Sequence, residues 1–113
     1  MRIWDLEVDR LCRAHLLAEH RELHGMWNIL TQGRSGYRRH PETRRWTGRL
    51  GALYGRHEAQ AAEMMKRGWR HRSALDATLA AGSLTTQTKL VNSLDQQNAI
   101  LRAKGCACRV DGP

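Results

Sequence analysis

Phenylalanine is absent from this 113-residue chain, so four tryptophans, Trp4, Trp27, Trp46 and Trp69, must supply most of the aromatic volume of a core. No apolar run approaches the roughly 18 residues needed to cross a bilayer, and the N-terminus has no apolar stretch of the kind that directs secretion. The expectation is a cytoplasmic protein. Cysteine is scarce: Cys12, Cys106 and Cys108 form an odd set with one close pair, which does not read as a disulfide framework and fits a reducing compartment. Neither an alternating apolar stretch nor an internal repeat is convincing, which leaves helices as the expected elements.

Acidic residues are also in the minority. Nineteen Lys and Arg against eleven Asp and Glu leave a formal charge of +8 and a pI near 10.4. Such a chain is attracted to a polyanion before any neutral small molecule, and nucleic acid is the first partner to test. The length suits one domain, read as residues 1–113 with an extended tail over 105–113.

The fold expected is all-α, of about three helices with an N-terminal arm. A first helix, capped by Asp9, runs to about Leu30 and is ended by Thr31, Gln32 and Gly33. Leu11, Ala18, Leu23, Met26, Trp27 and Leu30 share one stripe of it, with His15, Glu19 and Glu22 inside that stripe. A basic loop over 33–40 carries Arg34, Tyr37, Arg38 and Arg39. Pro41 then opens a second helix whose apolar set is Trp46, Leu50, Leu53, Tyr54, Ala61, Met64 and Met65, and which closes on Lys66, Arg67 and Gly68. A third helix is expected from about Gln87 to Lys104, with Leu90, Leu94 and Leu101 facing inward.

The order and spacing of Arg2-Ile3, His15-Leu16, Ala18-Glu19 and Arg21-Glu22-Leu23 resemble the phage pyrimidine-dimer DNA glycosylases of the endonuclease V type. Gly36 to Pro41 and the Lys66-Arg67-Gly68-Trp69 stretch extend the likeness. The resemblance is specific over residues 1–30, moderate over 36–70 and weak beyond. It implies an enzyme that flips a nucleotide out of damaged duplex DNA, attacks the sugar with its N-terminal amine and cleaves the abasic strand by β-elimination. No cofactor is implied, and a monomer is expected.

Physical chemistry bears on each role. An α-amine has a reference pKa of about 7.7–8.0 against about 10.4 for lysine, so it alone is substantially unprotonated at neutral pH. Because Arg2 is too large for initiator methionine to be trimmed, the amine is expected to belong to Met1. Glu22, a carboxylate in an apolar stripe, is either paired with Arg2 or Arg21 or kept for chemistry, where it would stabilise oxocarbenium-like charge and move protons. Glu19 reads as a supporting structural carboxylate. Arg2, His15, Arg21, Arg34, Tyr37, Arg38 and Arg39 are the expected DNA contacts, the tyrosine by stacking or wedging beside a flipped base.

The chain also departs from the family. Gly25 stands where the phage enzymes carry another phosphate-binding arginine, and their aromatic-rich C-terminal segment has no counterpart, so the lesion stays open. Two alternatives follow: the same scaffold acting on another modified base, or a non-catalytic protein that bends DNA. His20-Arg21-Glu22-Leu23-His24 is not a zinc-hydrolase motif, because its glutamate is misplaced. Cys106 and Cys108 joined with His20 and His24 would make a zinc set, but a lone Cys-x-Cys is weak, and no metal is expected.

Overall fold

A computed structural model describes residues 2–33, 36, 38–71 and 73–110. Among them are four α-helices, α1 Arg13–Gln32, α2 Pro41–Arg44, α3 Leu50–Lys66 and α4 Leu94–Ala103, with 3-10 turns at Val8–Arg10 and Ala77–Ala80, and no strand. The all-α expectation holds. The long helices α1 and α3 pack on one another and carry half of the buried apolar core.

Helix boundaries moved for identifiable reasons. Asp9 does not cap α1; it lies in the first 3-10 turn, and Cys12 holds the N-cap position. The carbonyls before the helix are taken from outside, Leu11 O by Arg67 at 2.6 Å and Arg10 O by the Arg109 N–H at 2.7 Å, so the chain stays extended there. Gly33 ends α1 in the left-handed conformation, φ +66°, as the sequence suggested. Pro41 does open a helix, but only a four-residue one. Gly48, at φ +74°, separates it from α3, and the Gly48 carbonyl accepts Leu84 N–H at 3.0 Å. The final helix is shorter than expected. Ser93 starts it with a complete capping box to Gln96, while Arg45 donates to Lys89 O at 2.9 Å and ties the preceding segment across α2. Of its three expected inward leucines only Leu101 is buried; Leu90 and Leu94 are exposed.

The core has two parts. Ile3, Leu23, Met26, Trp27, Trp46 and Leu53 form one. Trp4, Leu6, Leu11, Leu16, Met64 and Leu101 form the other, and Trp69, Cys106, Cys108 and Val110 pack against it, so residues 105–110 lie on the body without regular structure. On α3 the buried stripe is Leu53, His57, Gln60 and Met64, whereas Met65 is 68% exposed. Two polar residues therefore occupy positions that an apolar count passes over.

One of them, Gln60, holds Glu19, a member of the set of side chains that fixes the N-terminal arm. Buried backbone groups need partners, and a sheet would normally supply them. Here side chains do: Ile3 N–H donates to Glu42 Oε1 (3.1 Å), Trp4 N–H to Glu19 Oε1 (2.7 Å) and Asp5 N–H to Gln97 Oε1 (2.8 Å). Arg45 donates to Ile3 O at 2.9 Å and Arg56 to Leu6 O at 2.6 Å. The arm is thereby laid across α1, α2, α3 and α4 with its register set by charged side chains and the Gln97 amide.

Candidate active site

Where the arm crosses α1 there is a cleft of about 430 Å³ lined by Arg2, Trp4, His15, Ala18, Glu19, Glu22, His40, Ile100 and Lys104. The helical period explains why three polar residues of α1 meet there: His15, Glu19 and Glu22 are four and three residues apart and share one face. They differ in what holds them. Glu19 is 1% exposed and accepts four hydrogen bonds, from Trp4 N–H, from two nitrogens of Arg56 at 2.9 and 3.0 Å, and from the Gln60 amide. Its acceptor capacity is used up, so Glu19 is structural.

Glu22 is half-buried one turn along, and among the described residues no hydrogen bond or ion pair holds it. Arg2 is engaged elsewhere, its guanidinium lying 4.7 Å from the centre of the Trp4 ring and donating to Asn92 Oδ1 at 3.0 Å. Arg21 is exposed. The ion pair of Glu22 with Arg2 or Arg21, open from sequence, is not formed. A carboxylate thus faces a cleft whose rim carries Arg2, Lys104, His15 and His40.

The remaining sequence candidates are spread more widely. Arg38 and Arg39 are exposed in the turn before α2, on the chain leading to His40. Met1, Arg34 and Tyr37 lie outside the described residues. His15 lines the cleft, but its Nδ1 is turned to sulfur, 3.1 Å from Cys12 Sγ and 3.3 Å from Cys108 Sγ.

A family model for pyrimidine dimer DNA glycosylases matches residues 1–77, the arm, α1, α2 and α3 together. The chain belongs to that family. No curated protein and no solved structure matches it. Membership of the pyrimidine dimer DNA glycosylase family makes DNA the substrate and DNA repair the process, in keeping with the +8 charge. Among the described residues no helix is long and apolar enough to cross a membrane.

This glycosylase also gathers residues that sequence spacing did not group. Cys106 and Cys108 do not meet His20 and His24; they meet Cys12 and His15, all four donor atoms lying within 4.8 Å of one another. Cys12 N–H donates to Cys108 Sγ at 3.0 Å, and the Cys106 thiol donates to Leu101 O at 3.6 Å. Burial raises the Cys12 thiol, but hydrogen bonds to His15 and Cys108 outweigh it and bring it down to about 6. Burial and the neighbouring thiols push Cys108 up to about 12. His20 and His24 meet His57 and His71 instead, again within 4.8 Å. Burial and mutual repulsion lower His20, His24 and His71, His24 to about 4, so these imidazoles are neutral at pH 7. The usable signal in the sequence was the i, i+3 pair Cys12 and His15 at a helix start. The close pair Cys106 and Cys108 was visible as well, but nothing in the sequence tied it to Cys12, 96 positions before Cys108.

Proposed function

We propose that this protein is a DNA glycosylase with abasic-site lyase activity, acting as a monomer on pyrimidine dimers in duplex DNA. Glu22 carries the reading: a half-buried carboxylate without a hydrogen-bond or ion-pair partner among the described residues, in a cleft bounded by the arm and rimmed with cations. Family membership supplies the substrate class.

In the proposed chemistry a nucleotide is flipped out of the damaged duplex, and the sugar of the lesion is brought to the cleft. The free α-amine of Met1 attacks C1′ of that sugar, a C–N bond forms, and the glycosidic bond breaks with its electron pair leaving on the base. A proton passes from the attached nitrogen to the ring oxygen O4′ as the C1′–O4′ bond breaks, giving a protonated Schiff base, while the departing base takes a proton from water. Glu22 stabilises the positive charge developing on the sugar and takes the proton lost from C2′, whereupon the 3′ phosphate departs by β-elimination. Water then hydrolyses the imine and frees the amine. Arg2, His15, Arg21, Arg34, Arg38 and Arg39 hold the backbone, and Tyr37 stacks beside the vacated position.

Borohydride reduction in the presence of irradiated or abasic duplex tests this directly. A covalent complex should form, and digestion should place the DNA on residue 1. Acetylating the amine, or leaving a tag fused to it, should abolish the complex while DNA binding survives. An adduct mapped to a lysine such as Lys66 or Lys104, or one formed at the same rate by the blocked protein, overturns the mechanism.

A further inference from the structure

We propose that Cys12, His15, Cys106 and Cys108 form a zinc site that clamps the C-terminal segment to the start of α1. All three cysteines of the chain converge on one imidazole, with every donor atom within 4.8 Å of the others. A tetrahedral zinc ion, with bonds of about 2.3 Å to sulfur and about 2.0–2.1 Å to nitrogen, sets the donors of such a set roughly 3.5–3.8 Å apart. The observed His15 Nδ1 contacts of 3.1 and 3.3 Å need little adjustment to receive it. Three sulfurs and one nitrogen are a soft donor set that selects zinc over magnesium or calcium. The surroundings also fit. Cys12 is the N-cap of α1, where the helix end favours a thiolate, and its own N–H donates to Cys108 sulfur, as second-shell donors to metal-bound thiolates do.

The site has a structural task. Helix α4 and residues 105–110 rest mainly on the arm and on the second core cluster, through Leu101, Cys106, Cys108 and Val110. An ion here joins residues 96 positions apart and also fixes His15, one wall of the cleft. Cys106 and Cys108 lie beyond the family match over residues 1–77, so the clamp belongs to this chain's own C-terminal segment.

Titration of the reduced, metal-free protein with cobalt(II) tests the site without any enzymatic readout. Expected is one tetrahedral ion per chain with thiolate-to-cobalt charge-transfer absorption, displaced by equimolar zinc. Cys106→Ser and Cys108→Ser should each reduce that absorption and weaken zinc binding at least about tenfold. Absence of charge-transfer bands in the wild-type protein overturns the proposal, as does isolation of the chain with a Cys12–Cys108 disulfide in place of metal. The wild-type titration decides even where a variant fails to fold.

The imidazoles carry a second proposal on separate observations: His20, His24 and His71 hold a divalent first-row transition ion through nitrogen, and His57, whose Nε2 faces Ser73 O at 3.1 Å and whose Nδ1 faces Glu58 Oε1 at 3.0 Å, completes the set only by releasing one of these contacts. The proton arrangement favours this. Glu19 can only accept, so the Gln60 amide nitrogen faces it and the Gln60 oxygen faces His20 Nδ1 at 2.7 Å. His20 Nδ1 must then carry the hydrogen, and its Nε2 offers a lone pair to a point that His24 Nε2 (3.1 Å) and His71 Nε2 (3.0 Å) also approach. Metal-binding histidines are oriented by donating the far ring N–H to an oxygen acceptor, the place the Gln60 amide oxygen takes here. In the same cobalt titration a second ion should bind without thiolate charge transfer, and it should be lost in His71→Ala with the first retained. Saturation at a single thiolate-bound ion overturns this second site, as does undiminished second-ion binding in both His24→Ala and His71→Ala.

Discussion

Glu19 and Glu22 show how differently one helix face can use a carboxylate. Three residues apart, one is saturated by donors and the other has none among the described residues. Glu22→Gln keeps the shape and removes the charge. It should leave the melting temperature and duplex binding unchanged while strand cleavage falls by about 10²–10⁴, the range for a positioned acid–base or electrostatic group. Cleavage of irradiated DNA at the wild-type rate would make Glu22 structural. Glu19→Ala should act on stability instead, because it strands the Arg56 guanidinium and the Trp4 N–H; losing one partner of a buried ion pair costs about 3–5 kcal/mol. Chemical denaturation reads this, and a change below about 1 kcal/mol would show that water replaces the carboxylate. Arg21, exposed on α1, belongs to a third kind. If it touches one phosphate, Arg21→Ala should lower the slope of log K against log salt by roughly one.

At the level of elements, two glycines in long helices make opposite predictions. Gly25 lies in the middle of α1, and a methyl group placed there would meet nothing within 4 Å. Gly25→Ala should therefore raise stability by about 0.8–1.0 kcal/mol, the propensity difference alone. Gly51 sits in the first turn of α3, where the segment after the second 3-10 turn passes over it. A Cβ would lie 2.8 Å from Leu84 O and 3.0 Å from Thr85 Cγ2. That carbonyl accepts Ala52 N–H and cannot swing aside, so Gly51→Ala should destabilise by about 1–3 kcal/mol. Parallel thermal melts of the two variants check both signs. The same crossing explains why the middle of the chain is not one helix: Leu84 bonds Gly48 and Ala52 on either side of the break.

For the molecule as a whole, the excess of eight positive charges predicts binding to undamaged duplex that is steeply weakened by salt, with damaged DNA keeping a residual advantage. Fluorescence anisotropy across a salt series measures it. A slope near zero would mean that the charge serves solubility and that recognition rests elsewhere. Both ligand clusters draw residues from α1, which also carries the arm-binding Glu19, so the framework that positions the arm and the proposed metal sites share that helix.

Much of this protein is legible from local pattern. Helical class, the stop at Gly33, the start at Pro41, the buried Trp4, Trp27 and Trp46, and the family itself follow from periodicity, capping chemistry and the spacing of Arg2, His15, Glu19 and Glu22, each a property of neighbours in the chain. Tertiary structure decided what depends on distant partners. Helix α1 starts at Arg13 because Arg67 and Arg109 take the carbonyls before it, and the arm lies where Glu19, Glu42 and Gln97 accept its N–H groups. Cys12 finds Cys108, and His20 finds His71, for the same reason. A buried polar group must be matched by another, and only the folded chain determines which one is within reach.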